Sequence, residues 1–175
     1  MCGRCLAHPP HYDATVAALD YAFPADALVQ ALKFRGELAL APFFGSLLTK
    51  RLSSAEKIDL IVPVPLSDRR LRARGFNQAV EIARPLARAL HARLDYLVLS
   101  KARETRAQVE LPYADRVKNV RGAFQCGRAL PNASVAVVDD VMTTGATLDE
   151  IAATLKRAGA ARVVNWVVAR TPPPD

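Results

Sequence analysis

The sequence predicts an α/β fold: a central, mainly parallel sheet flanked by helices. Three observations carry that prediction. Strand-like apolar runs alternate with helical stretches, the order a parallel sheet with covering helices requires. The run IDLIVPVPL (58–66) is apolar throughout and rich in Ile and Val, as suits a strand covered on both faces. The clearest helix, TLDEIAATLKRAG (147–159), follows closely on another such strand, SVAVVD (134–139).

The elements follow in order. Residues 1–11 (MCGRCLAHPPH) read as a loop or the remnant of a metal site, and residues 12–22 as a short strand or hairpin. Pro24 opens a helical pattern, ADALVQALKF, with Leu28, Ala31, Leu32 and Phe34 on or near one face. A second helical stretch, LALAPFFGSLLTKRL, follows Gly36, and Pro42 and Gly45 weaken it. After the 58–66 strand, Asn77 caps the helix QAVEIARPLARALHA, which Pro85 is expected to kink or interrupt. LDYLVL (94–99) reads as another strand. Ser100 to Arg121 is polar and without clear periodicity, a long loop of the kind that is often functional. In the 147–159 helix, Thr147 and Glu150 match a capping box, Leu148, Ile151, Ala152 and Leu155 share a face, and Gly159 stops it. ARVVNWVVAR (161–170) is the last strand, and TPPPD a frayed tail.

At 175 residues the chain has room for one domain with a real core, and its 51% hydrophobic content argues against disorder. No apolar run is long enough to span a bilayer, and CGRC directly after Met1 does not read as a signal peptide, so a soluble protein is expected. An odd count of three cysteines is no disulfide framework and fits a reducing cytoplasm. The net charge of +7 admits an anionic partner without choosing between nucleic acid, a phosphorylated small molecule and none.

The stretch VAVVDDVMTTGAT (Val135–Thr147) carries the chemistry. In open α/β sheets, ligands bind outside the carboxyl ends of the strands, which is where Asp139 and Asp140 fall. Carboxylates there accept hydrogen bonds from paired sugar hydroxyls or help hold a divalent cation. Thr143, Thr144, Gly145, Ala146 and Thr147 then lead into a helix whose N-terminal N–H groups and dipole favour an anion. Gly145 lets the backbone approach closely. A diol grip beside a phosphate cradle is the layout a ribose 5-phosphate needs.

Four apolar residues, two acids and a Thr/Gly-rich loop resemble the phosphoribosyl pyrophosphate (PRPP) signature of type I phosphoribosyltransferases. LKFRGE (Leu32–Glu37), VPVPLSDRRLRARGFNQA (Val62–Ala79), the set Arg103, Thr105, Gln108, Leu111, Arg116 and Asn119, and GAF (Gly122–Phe124) narrow the resemblance to the ComF/GntX branch of competence-associated proteins. The resemblance implies the type I phosphoribosyltransferase fold with a small N-terminal hood, formed by about the first 50 residues by ordinary domain anatomy. It divides the chain into a zinc-ribbon-like remnant, 1–11, and a phosphoribosyltransferase domain, 12–175.

It also implies roles. Asp139 and Asp140 would hold the ribose hydroxyls and, directly or indirectly, Mg²⁺. The loop from Thr143 to Thr147 would bind the 5-phosphate, with Val141 and Met142 also among the residues that bind PRPP. The turn after the first apolar strand, with Leu66 and Ser67, would hold pyrophosphate. Arg69, Arg70, Arg72 and Arg74 suit that charge, because guanidinium grips phosphate oxygens in a fork; taken alone they read as a solvated basic face or a contact with nucleic acid. The long loop resembles one that closes over the site, with Lys101, Arg103 and Arg106 bringing positive charge to the leaving group. The implied chemistry is Mg²⁺-dependent transfer of a phosphoribosyl group with release of pyrophosphate, and no base-recognition element identifies the acceptor.

Cys2 and Cys5 have metal-ligand spacing, but the resemblance calls for two such pairs, and a structural zinc takes four ligands. With one pair present, zinc is not expected in this chain unless a partner pair exists, and His8 and His11 offer only a cramped alternative. Cys126 reads as an ordinary thiol and His91 as a surface residue on a helix. Three functions stay open: a phosphoribosyltransferase; a non-catalytic PRPP- or nucleotide-binding partner of the competence machinery; and a nucleic-acid binder using the basic surface. Few aromatics are interleaved with the basic residues, which disfavours a single-strand stacking platform. A dimer is compatible with each.

Overall fold

The computed structural model describes residues 9–52, 57–103 and 119–172. Strand β1 (Ala14–Asp20) leads to helix α1 (Ala25–Gln30), which continues as a π-helical turn over Ala31–Arg35. Helix α2 (Leu40–Arg51), strand β2 (Leu60–Pro63), helices α3 (Asp68–Arg74) and α4 (Gln78–Ala89), and strand β3 (Arg93–Leu94) follow. Strands β4 (Leu99–Lys101) and β5 (Phe124–Cys126) precede β6 (Ser134–Met142), α5 (Ala146–Arg157) and β7 (Arg162–Arg170). Five strands form one parallel sheet in the order β1-β7-β6-β2-β3. β4 and β5 pair antiparallel in a separate ribbon.

Strand periodicity divides the core between the two sheet faces. Leu60, Val62, Val135, Val137, Val163 and Val167 pack with Leu148, Ile151 and Leu155 of α5. Ile61, Ala136, Val138, Val164, Trp166 and Val168 pack with Phe44 and Leu48 of α2 and with Ile82 and Leu86 of α4. Successive residues point to opposite faces. Both faces are covered, so the strands read as continuous apolar runs rather than alternating ones. Register brings Pro63, the end of β2, beside Val138, four residues before β6 and β7 end side by side at Met142 and Arg170.

Several expectations need correction. LDYLVL is not one strand. Asp95 Oδ1 accepts from the N–H groups of Leu97 (3.0 Å) and Val98 (2.9 Å), and this side-chain turn separates β3 from β4. Tyr96 and Leu97, which looked like strand residues, are exposed. Of the two readings of residues 12–22, the short strand holds, as β1 over Ala14–Asp20. Ser100 and Lys101 belong to β4 rather than to a loop, and residues 104–118 of that segment lie outside the described residues.

Helix breakers mislead where they are packing devices. Pro42 lies in the first turn of α2, where its missing N–H removes no intrahelical bond. Gly45 faces Pro85 of α4: a Cβ at Gly45 would stand 2.9 Å from Pro85 Cγ and 3.5 Å from the Ile82 carbonyl oxygen. The bare backbone lets α2 and α4 approach, and α4 runs through Pro85 to Ala89. Asn77 caps α4 as expected, its side chain accepting from Ala79 N–H at 2.9 Å.

The Thr147–Glu150 capping box does not form. The N-cap of α5 is Gly145, and the Glu150 carboxylate accepts from Gly122 N–H (3.0 Å) and faces Arg157 (3.5 Å). His91 is exposed as expected, but it lies past the end of α4, in the left-handed region at φ 50°. Thr171 in the tail is held, its N–H donating to the Met142 carbonyl at 2.9 Å.

Candidate functional site

A cleft of about 550 Å³ opens at the carboxyl ends of β2 and β6. Val64, Pro65 and Leu66 after β2 form one wall, and Asp139, Asp140, Val141, Thr143 and Thr147 another. Arg70, Arg74 and Gln78 enter from α3 and α4, Lys101, Val120 and Phe124 from the β4–β5 side, and Tyr21, Lys33 and Phe34 from the N-terminal region. The position is the one parallel-sheet topology reserves for ligands.

The acidic pair is ordered by its own backbone. Asp139 Oδ1 accepts from the Asp140 N–H (2.9 Å), and Asp140 Oδ1 from the Val141 N–H (2.9 Å). Asp140 is buried, and its Oδ2 lies 2.5 Å from Lys33 Nζ. Burial in the cleft floor and the adjacent Asp140 charge push the Asp139 carboxyl well above the ordinary carboxylate range, against the opposing pull of Lys33. The pair is thus short of positive charge and suited to receive hydroxyl donors or a cation.

Lys33 reaches Asp140 from the π-helical turn that extends α1. That turn closes at Gly36, which has φ 68° and donates its N–H to the Ala31 carbonyl. A wide turn of this kind swings side chains off the α-helical register and often occurs at functional sites.

Beyond the acids, the chain turns through Thr143 and Thr144 to Gly145 and enters α5. Gly145 has φ 80°, and a Cβ there would meet Met142 Cε at 2.7 Å and the Tyr12 hydroxyl at 3.3 Å. The positive φ favours glycine here, and a side chain would also have to displace the flexible end of Met142. Thr143 and Thr147 line the cleft, and Thr144 Oγ1 makes a long contact, 3.4 Å, with the Ala146 N–H. The first N–H groups of α5 and its dipole add an anion-binding element.

Positive charge comes from α3. Ser67 is its N-cap, and Arg70 and Arg74, one turn apart, both face the cleft. Arg74 donates to Gln78 Oε1 and lies over the Phe34 ring, 5.6 Å from its centroid. Burial lowers its pKa, Asp140 opposes that shift and Arg70 adds to it. Lys101 lines the opposite side, 5.8 Å from the Phe124 centroid. Arg103 is placed differently: its guanidinium donates to the carbonyls of Asn119 (3.1 Å) and Arg121 (2.9 Å), tying the two flanks of the intervening segment.

The structure therefore gathers Asp139, Asp140, Val141, Thr143, Thr147, Leu66, Arg70, Arg74 and Lys101 around one cleft. Met142, Thr144, Gly145, Ala146 and Ser67 shape its loops, while Arg69 and Arg72 are not among its lining residues. Thr105, Arg106, Gln108, Leu111, Arg116, Cys2, Cys5 and His8 lie outside the described residues. His11 hydrogen-bonds Asp149 through its N–H at 2.6 Å and its ring at 3.2 Å. Tyr21, Lys33, Phe34 and Gln78 were not foreseen. The available signals were the LKFRGE segment, which holds Lys33 and Phe34, and the Val62–Ala79 segment, which holds Gln78; both marked the family without a role for these residues.

Comparisons with known proteins bear on the family and the fold. Residues 77–172, more than half of the chain, match the phosphoribosyl transferase domain. The chain is 38% identical to DNA utilization protein YhgH of Escherichia coli (strain K12), over 97% of this chain and 78% of that protein. Competence protein F of Haemophilus influenzae is 33% identical over the same shares. The chain belongs to the ComF family. The ComF relatives include competence protein ComFC of Streptococcus pneumoniae, 31% identical over 79% of this chain and 60% of that protein. Among solved structures, an allosteric regulatory enzyme of purine biosynthesis matches 74% of this chain and 25% of its own, with TM-score 0.50 and 24% identity. That likeness supports the type I phosphoribosyltransferase fold for this ComF chain.

Proposed function

We propose that the cleft binds PRPP and transfers its phosphoribosyl group to an acceptor with release of pyrophosphate. One observation carries the reading: a paired carboxylate, a glycine-hinged loop at a helix N-terminus, and the cations Arg70, Arg74 and Lys101 line a single cleft. Asp139 and Asp140 hold the ribose hydroxyls. The Thr143–Thr147 loop cradles the 5-phosphate. Arg70, Arg74 and Lys101 face the pyrophosphate, with Leu66 and Ser67 shaping the turn beside it.

The residues fit Mg²⁺. Asp139 and Asp140 are adjacent carboxylates, and the raised Asp139 pKa marks a place where a cation lowers the energy. Mg²⁺ takes one or two carboxylates together with substrate phosphate oxygens. Among the described residues no cluster of three or more His, Cys, Asp or Glu could hold a metal alone. When bound, the ion neutralises charge on the departing pyrophosphate. The chain itself orients the sugar, exposes its anomeric carbon and keeps cations on the leaving-group side, so catalysis is positional and electrostatic and needs no nucleophilic side chain.

A second reading is favoured by the names of the relatives. A PRPP-binding or DNA-binding accessory protein of competence and DNA uptake would use the cleft without turnover. Pyrophosphate release from PRPP, assayed against a panel of nucleobases and nucleotides, separates the two. Acceptor-dependent release supports the transferase. PRPP binding with no release under any acceptor moves the assignment to the accessory role. Among the described residues no helix is long and apolar enough to cross a membrane.

A further inference from the structure

A second groove, of about 460 Å³, adjoins the cleft and shares Lys33, Phe34, Arg70 and Arg74 with it. Arg35 and Phe76 extend it. Four of its lining residues are cations and none is a carboxylate. Phe34 is 74% exposed, and one of its faces carries the Arg74 guanidinium. Arg35 projects into solvent, its nearest acid, Glu37, being 4.0 Å away. In the sequence few aromatics are interleaved with the basic residues. The π-helical turn and α3 bring them together.

Cations alone would suit any anion. An exposed ring set among guanidinium groups suits a narrower class, a planar base joined to a phosphate, because stacking and fork-like phosphate contacts are then made at once. We propose that this groove binds a nucleotide unit, its base against Phe34 and its phosphate on Arg35, Arg70 and Arg74. The groove opens beside the cleft, so a nucleotide held there lies next to the proposed PRPP site. Nucleotide binding in the groove does not depend on the phosphoribosyl reading.

The test uses fluorescence anisotropy with a labelled single-stranded oligothymidylate, competed by unlabelled oligomer and by thymidine monophosphate. It is run on the wild type, Phe34→Ala, Arg35→Ala and an Asp139→Asn/Asp140→Asn double variant. Both groove side chains are exposed, so the single variants are expected to keep the wild-type melting temperature. Each should weaken binding by about fivefold or more, and rising salt should weaken the wild type further. The double variant should bind at least as tightly, because Lys33 is then released from Asp140. That arm separates the groove from the cleft, since PRPP binding can fail while nucleotide binding persists. Competition by the monophosphate assigns a mononucleotide site, and competition by the oligomer alone assigns a single-strand site; both support the proposal. Absence of wild-type binding to either probe overturns it, as does binding that Phe34→Ala and Arg35→Ala leave intact.

Discussion

Lys33 Nζ and Asp140 Oδ2 form a direct ion pair, 2.5 Å apart, across the floor of the cleft. The lysine comes from the turn after α1 and the aspartate from the end of β6, so the contact ties the N-terminal region to the acidic pair. Removing the ammonium leaves Asp140 buried beside Asp139 without its counter-charge. Lys33→Met should destabilise the fold by on the order of 2 kcal/mol, less than for a fully buried pair because the lysine keeps part of its exposure. Adding Asp140→Asn should restore much of the loss. Urea unfolding of the single and double variants checks both.

Asp139 gives a pH dependence with a definite sign. Burial and Asp140 raise its folded-state pKa. Between the ordinary carboxylate pKa and that raised value, the folded state therefore holds a proton the unfolded chain has released. Stability contributed by this group is present at low pH and falls as pH rises through the window. Asp139→Asn should raise the melting temperature at neutral pH, with the gain shrinking toward acid, and should weaken Mg²⁺–PRPP binding at every pH. Thermal melts across pH, paired with calorimetry, test the two halves separately.

Asp13 behaves in the opposite sense. Partial burial raises its pKa, but Val163 N–H (2.8 Å) and Lys156 Nζ (2.9 Å) more than offset that and leave it lowered. Its contribution is present above the unfolded carboxylate pKa and lost as pH falls through the folded value. Asp13→Asn should cost about 1 kcal/mol at neutral pH, in keeping with a half-exposed hydrogen-bonded carboxylate, and the deficit should vanish in acid.

Gly45→Ala should destabilise by about 1–3 kcal/mol, as overpacking does, because the added Cβ meets the rigid Pro85 ring. Pairing it with Pro85→Ala should recover part of the loss. Chemical denaturation of the three variants reads this coupling.

Arg70→Ala should weaken PRPP binding about tenfold or more, since a charge-assisted phosphate contact contributes roughly 1.5–3 kcal/mol. Arg70 is not buried, so its removal should leave the melting temperature near that of the wild type. Calorimetry with PRPP distinguishes this loss from unfolding.

Local signals in the sequence held where neighbouring residues act together. Asp139, Asp140 and the loop to Thr147 lie on one strand, one turn and one helix start, so their gathering at one cleft could be read from contiguous residues. The sheet was legible because β2, β6 and β7 are buried on both faces. Lys33 was not, because its role depends on a π-helical turn and on a contact with a distant strand. Helix α3 was missed for a related reason: its seven residues bury none of their side chains, so no apolar stripe marks them. Glu150 matched a capping box by spacing, but Gly122 and Arg157, brought near by the fold, took its carboxylate instead.

The most direct measurement is calorimetric titration of the wild type and the Asp139→Asn/Asp140→Asn double variant with PRPP, in the presence and absence of Mg²⁺. The account predicts Mg²⁺-dependent binding by the wild type and its loss in a double variant that remains folded. A folded wild type that does not bind PRPP, or a double variant that binds it equally well, would contradict the assignment of this cleft.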